Sequence, residues 1–285
     1  MIIDAHHHLW LRSRGDYHWL DSRTNPALAA IERDYLLEDY RPLATASGVA
    51  GSVLVQAAQS VAETRWLLAQ AHAGRGLILG VVGWIDMAAL NAPHVLGALA
   101  QDRFLRSIRP MLQDIPDPGW VLEPQLDAAF RALIDLGLAF DVLIRPAHLR
   151  NALTLLTRYP QLRAIVDHCA KPDIARGMWQ PWADGMRRIA LETQAWCKLS
   201  GLATEAGPGW KAEDLKPYVE HVLEWFGPQR VVWGSDWPVM TLNTDYLGWL
   251  TVTQRLIASL SPADQSAIMG ENAARFYRLD VEAPV

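Results

Sequence analysis

The chain has 285 residues, 51% of them hydrophobic and 20% charged, with a net charge of −5. An acidic balance without blocks of like charge argues against a nucleic-acid partner, and no apolar run approaches the roughly 20 residues that span a bilayer. The two cysteines, Cys169 and Cys197, fall inside expected strands and read as free thiols of a cytoplasmic protein, and with no basic region followed by an apolar run near Met1 no signal peptide is expected.

Ile2 and Ile3 begin a strand that runs straight into His6-His7-His8. Alternation along a strand puts Asp4, His6 and His8 on one face and His7 on the other. Two imidazoles about 7 Å apart on one pleat suit a divalent metal or a polarised substrate oxygen. Residues 11–48 are loop-rich, long for a connection, and read as a lid or rim closed by a helix over 36–47. Residues 51–56 form a strand ending at Gln56, and Ser60 with Glu63 makes a capping-box pattern for the next helix. The alternation then repeats: strands over 77–85, 105–112, 138–144, 162–168, 195–199 and 230–233, with helices over 88–101, 124–137, 148–158, 181–193 and 214–226 between them. A loop from strand seven to Trp210 interrupts the pattern, and helices over 246–260 and 263–275 end the chain.

Eight β-then-α units in about 270 residues, with near-continuous apolar strands such as Val231-Val232-Trp233, predict a single-domain α/β chain over 1–285, a closed (β/α)8 TIM barrel. A doubly wound open sheet is the alternative, but no glycine-rich turn follows strand one. In a barrel, reactive groups gather at the C-terminal strand ends. Those ends are polar here: His6 and His8, Gln56, Trp84, Arg109, Arg145, Asp167 with His168 and then Lys171, Lys198 with Ser200 and then Glu205, and Ser235 with Asp236. Each has a plainer alternative. Asp236 would cap the helix after Pro238, Arg109 and Asp141 would form a buried structural pair, and Lys198 would reach past the rim to solvent. His-x-His on strand one, His168 on strand six and Asp236 on strand eight together are hard to obtain by chance.

These segments resemble the amidohydrolase superfamily over nearly the whole chain. Asp4-Ala5-His6-His7-His8 is similar to its strand-one signature, and Gly234-Ser235-Asp236-Trp237-Pro238 to its strand-eight aspartate. Val166-Asp167-His168-Cys169-Ala170-Lys171-Pro172 and Cys197-Lys198-Leu199-Ser200-Gly201-Leu202 resemble, more narrowly, the family-2 branch of sugar lactonases. The resemblance implies a lactone hydrolase of carbohydrate catabolism acting on L-fucono-, L-rhamnono- or L-galactonolactones. It also brings dicarboxylate lactonases and metal-dependent decarboxylases of aromatic catabolism into view, and a silent ligand-binding barrel as the reading outside enzymes. Binuclear relatives bridge two metals with a lysine or glutamate at the end of strand four or five. Here those ends carry Arg109 and Arg145, which leaves one Zn²⁺, held by His6, His8 and Asp236 with His168 as a further ligand, or no metal at all. Asp236 is the expected general base. His6, His8 and His168 polarise the carbonyl, and Gln56, Trp84, Arg109 and Lys198 are the expected substrate contacts. A monomer or a homodimer is expected.

Overall fold

The computed structural model describes residues 1–281. Eight strands form one parallel sheet in the order of the chain: β1 (Ile2–His7), β2 (Val49–Val55), β3 (Ile78–Gly83), β4 (Leu105–Ile108), β5 (Ala139–Val142), β6 (Ala164–Val166), β7 (Trp196–Leu199) and β8 (Val231–Trp233). Helices cover its outer face: α1 (Leu37–Ala46), α2 (Val61–Ala73), α3 (Ala92–Leu99), α4 (Asp127–Asp135), α5 (Leu149–Arg158), α6 (Trp182–Glu192), α7 (Leu202–Ala206), α8 (Ala212–Phe226) and α9 (Tyr246–Leu256). This is the expected (β/α)8 barrel. The strands are shorter than their apolar runs suggest, because Trp84, Arg109 and His168 already belong to the loops above them. The stretch after β7 holds the short α7, and the tail divides into α10 (Pro262–Ser266), a π-helical turn (Ala267–Glu271) and α11 (Asn272–Tyr277).

Inside the barrel, Ile3 and Ala5 meet Val53, Val55, Val82, Ala139, Ile165 and Val232, and Ala273, Phe276 and Tyr277 of α11 close the floor. A second, larger apolar cluster lies between the sheet and its helices. One face of each strand therefore packs on its own interior and the other on the helical shell, which is why so many positions read as apolar.

The first strand corrects the expectation of strict alternation. Three steps along β1, from Asp4 to His7, pair with two along β2, from Ser52 to Leu54. This extra residue is a β-bulge, and it changes which face the following side chains take. Asp4 therefore points into the helical shell while His6 and His8 point into the barrel. There Asp4 accepts hydrogen bonds from Ser235 N (2.8 Å) and Oγ (2.6 Å), Tyr40 OH (3.0 Å) and Tyr246 OH (2.8 Å). His7 stacks on Tyr40 at 3.9 Å between ring centroids and donates to Ser52 Oγ at 3.0 Å, so it packs away from the barrel interior.

The same region seals the barrel. The Asp236 N–H donates to the His6 carbonyl at 2.7 Å, and the His8 N–H to the Trp237 carbonyl at 2.7 Å. A Cβ on Gly234 would stand 2.7 Å from the His6 Cβ, so only glycine lets β8 approach β1 this closely. Asp4, fully buried, is thus the clamp between the two ends of the sheet. Asp4→Ala would leave several buried donors without an acceptor, and it is expected to lower the urea unfolding free energy by about 3 kcal/mol. A loss under about 1 kcal/mol would show that the seam closes without it.

Candidate active site

Four side chains converge above the seam: His6 from β1, His8 just past its end, His168 after β6 and Asp236 after β8. His6 Nε2 lies 3.2 Å from His8 Nε2. Asp236 Oδ1 lies 3.4 Å from His8 Nε2, 3.7 Å from His6 Nε2 and 3.8 Å from His168 Nε2. All four residues are buried. The backbone is strained to deliver them. Seven non-glycine residues have positive φ among the described residues, and five stand on this rim: His168, Cys169, Ala170, Lys171 and Asp236. The first four make a left-handed turn closed by Lys171 N to the His168 carbonyl at 2.8 Å. L-residues adopt that conformation at a cost of about 1–2 kcal/mol each, and such strain concentrates where a side chain must be aimed. Asp236 does not cap the turn that follows Pro238, since its side chain accepts from none of that turn's amides. Its carboxylate is free to face the imidazoles.

The hydrogen bonds set the tautomers. His8 Nδ1 donates to the Val55 carbonyl at 2.8 Å, which leaves a lone pair on Nε2, facing the cluster. His168 Nδ1 meets Ser200 Oγ at 2.8 Å, and a Cβ on Gly201 would collide with that ring at 2.8 Å. Burial first, then the charges of Lys198, His8 and Arg109, holds His6 well below the usual imidazole range. Burial likewise holds His168 neutral. For Asp236 burial acts upward, but His168 and His8 outweigh it and keep the carboxyl below its ordinary range.

These atoms fit a divalent cation. A tetrahedral ion with ligands at about 2.0–2.1 Å has ligand–ligand edges of about 3.3–3.4 Å. The 3.2, 3.4 and 3.7 Å separations among His6, His8 and Asp236 approximate that frame, with the three donors all buried. His8 and His168 already hold second-atom partners of the kind that orient metal-bound imidazoles. His6 departs from this pattern: its Nδ1 faces the Lys198 ammonium at 3.1 Å, a donor, and Asp167 Oδ1 at 3.7 Å lies beyond hydrogen-bond reach.

Beneath the cluster lies a charged layer that alternation alone does not reveal. Lys198 is completely buried; its Nζ lies 2.5 Å from Asp141 Oδ2, 3.0 Å from Asp167 Oδ1 and 3.1 Å from His6 Nδ1. Its position excludes the reach to solvent. Arg109 pairs with Asp167 at 3.3 Å, not with Asp141, and also approaches His6 Nε2 at 3.3 Å. Asp141 additionally accepts from Ser107 Oγ (2.6 Å) and from Tyr277 OH (2.7 Å) of α11. Burial raises Asp141, whereas for Asp167 the charges of Lys198 and Arg109 outweigh burial and hold it low. Tyr277 is the member of this layer that sequence reading missed, and Asp141, expected to pair with Arg109, pairs with Lys198 instead. The inward parity shared by Trp196 and Lys198 on β7 was the available signal.

Of the expected substrate contacts, Gln56 is buried with one end of its amide bonded and its Oε1 without a partner among the described residues. Its Nε2 donates to the Arg109 carbonyl at 2.7 Å, and its backbone carbonyl accepts from the Arg109 guanidinium. Trp84 is half-buried on the loop after β3, with its backbone N–H and carbonyl both tied to Thr64 Oγ1 at 2.8 Å. Glu63 completes only half of the expected capping box. Its N–H donates to Ser60 Oγ, but its carboxylate turns to the amides of Ala57 (3.0 Å) and Ala58 (2.8 Å), bracing the loop beyond Gln56.

This barrel with two strand-one histidines, a strand-six histidine and a strand-eight aspartate is the arrangement of a hydrolase. The Amidohydrolase family (Amidohydro_2) matches residues 3–279, and the chain belongs to it. It is similar to an L-fucono-1,5-lactonase of Burkholderia ambifaria, with 41% identity over 98% of this chain and 96% of that one. An L-fucono-1,5-lactonase of Burkholderia multivorans is 33% identical over 97% of this chain and 96% of that one. Among solved structures, an amidohydrolase of Burkholderia multivorans with bound Zn superposes with a TM-score of 0.89 at 32% identity, over 98% of this chain and 99% of that one.

Burial holds His6, His7 and His168 below 6.5. The unfolded chain takes up protons at these residues near 6.5, so their folded neutrality stabilises above that pH and is lost as pH falls beneath it. Urea titrations are expected to show stability falling below pH 6.5, with a slope that approaches about 1.4 kcal/mol per pH unit for each histidine only about a unit beneath it. A flat profile would contradict the neutral assignment.

Proposed function

We propose that the chain is a hydrolase that opens sugar-acid lactones of the L-fucono-, L-rhamnono- or L-galactonolactone type by attack of an activated water. One observation carries the reading: the Asp236 carboxylate faces three buried imidazoles within a chain alike over its whole length to two L-fucono-1,5-lactonases. Residues 1–285 serve as one catalytic domain.

Asp236 is the general base. Its carboxylate takes a proton from water as the oxygen attacks the lactone carbonyl carbon, and it returns that proton to the ring oxygen when the carbon–oxygen bond breaks. The low position of its pKa makes it a modest base, suited to an activated ester more than to an amide. His168 beside it steadies the carboxylate, and Arg109 offers permanent positive charge toward the developing oxyanion. When bound among His6, His8 and Asp236, with His168 adjacent, a divalent cation, proposed as Zn²⁺, supplies Lewis-acid polarisation of the carbonyl. Gln56 and Lys198 act by holding Arg109 and His6 in place, and Trp84 offers an indole face for the sugar ring.

Among the described residues no helix is long and apolar enough to cross a membrane. The buried free thiols Cys169 and Cys197 support a cytoplasmic location for a monomer or homodimer acting on a small molecule.

Asp236→Asn keeps the shape and removes the base. It is expected to lower kcat for L-fucono-1,5-lactone by about 10²–10⁴-fold with the circular dichroism spectrum unchanged. A loss of less than about tenfold in a folded variant would rule Asp236 out as the base.

A further inference from the structure

His6, His8, His168, Arg109 and Asp236 are all at most 5% exposed, so most of a bound substrate must lie beside this cluster. A cavity of about 520 Å³ opens on the β5–β7 side of the C-terminal rim, lined in part by Arg145, Lys171, Glu205 and Trp182. It adjoins the cluster through the left-handed turn, since Lys171 bonds back to His168 and its charge acts on Asp236.

The polar groups of this wall have capacity to spare. Lys171 Nζ stands 3.7 Å from Glu205 Oε1, near enough for charge neutralisation and too far for a hydrogen bond. Among the described residues, the charged ends of Arg145, Lys171 and Glu205 make no hydrogen bond within the protein. Lys171 and Glu205 are 17% and 16% exposed, turned to the cavity more than to bulk water. Burial raises the Glu205 carboxyl, opposed by Lys171 and Arg145.

We infer that this wall is the subsite for the hydroxylated edge of the lactone, and that Glu205 is the residue that selects it. This rests on the lactonase reading above. A carboxylate accepts from two neighbouring hydroxyls at once, while an ammonium and a guanidinium donate to the oxygens of the same hydroxyls. Such a set suits a polyhydroxylated, uncharged ring. Glu205 repels additional carboxylates and offsets one of the two cations that would attract them, so it is the residue that weights the wall toward an uncharged ring. Glu205 touches the part of the substrate that does not react, so it determines specificity and takes no proton in the reaction.

The test compares kcat/KM for L-fucono-1,5-lactone and for δ-valerolactone, which has no ring hydroxyls, in wild-type protein and in Glu205→Gln. The ratio of the two is expected to fall at least tenfold in the variant, mostly through KM for the sugar lactone, as loss of charge-assisted hydrogen bonds requires. Partial misfolding or a merely structural role scales both rates together and leaves the ratio unchanged, and an unchanged ratio overturns the inference. Wild-type protein inert toward both lactones would instead overturn the lactonase reading itself, so the two failures are told apart.

Discussion

One buried ammonium organises the interior of this barrel. Lys198 has no contact with solvent and stands within 3.1 Å of Asp141, Asp167 and His6. With Arg109 it sets two basic side chains against two acidic ones in one layer, and burial holds His6 and His168 above it well below the usual imidazole range. Asp236 remains as the rim carboxylate, held low first by His168 and His8 and then by Lys171. Removing one member of such a layer exposes the others to an uncompensated burial, at a cost of roughly 3–5 kcal/mol. Lys198 also limits the metal chemistry. His6, Asp167 and His168 form a second group with cation-binding spacing, and the Lys198 ammonium already lies against two of the three. On the proposed reading this leaves one place for a cation, among His6, His8 and Asp236.

Placement of that group depends on the join between β8 and β1. The bulge in β1 turns His6 inward while Asp4 stays outward, and Asp4 then grips Ser235, directly before Asp236. Backbone bonds from Asp236 to His6 and from His8 to Trp237 finish the join at the site itself. Barrel closure and assembly of the reactive cluster are therefore one structural event. The left-handed turn at 168–171 adds the remaining imidazole from the far side, with its strain offset by the buried hydrogen bonds of His168 and of the Cys169 carbonyl, which accepts from Trp182.

Much of this was legible beforehand, for physical reasons that differ by residue. The eight strands announced themselves because apolar runs of Val, Ile and Leu recur at the spacing of a parallel barrel, and His6, His8, His168 and Asp236 stand where those runs end. Period-2 reasoning failed at Asp4, since a one-residue bulge is set by packing on Tyr40 and Tyr246, residues 36 and 242 positions away. It also left the partner of Arg109 undetermined. Asp141 and Asp167 are both inward, and the choice of Asp167 follows from Lys198 and Tyr277 occupying Asp141. Gln56 ends a strand and reads as a substrate contact; its Nε2 is bonded to the Arg109 carbonyl and its Oε1 has no partner among the described residues.

On the proposed reading one cation place serves lactone opening, and metal stoichiometry measured with turnover on the same sample tests it most directly. Protein stripped with chelator and titrated with Zn²⁺ is predicted to bind one equivalent per chain, with hydrolysis of L-fucono-1,5-lactone rising until that equivalent is reached. Two tightly bound equivalents, or one equivalent with no lactone opened at any loading, would contradict it.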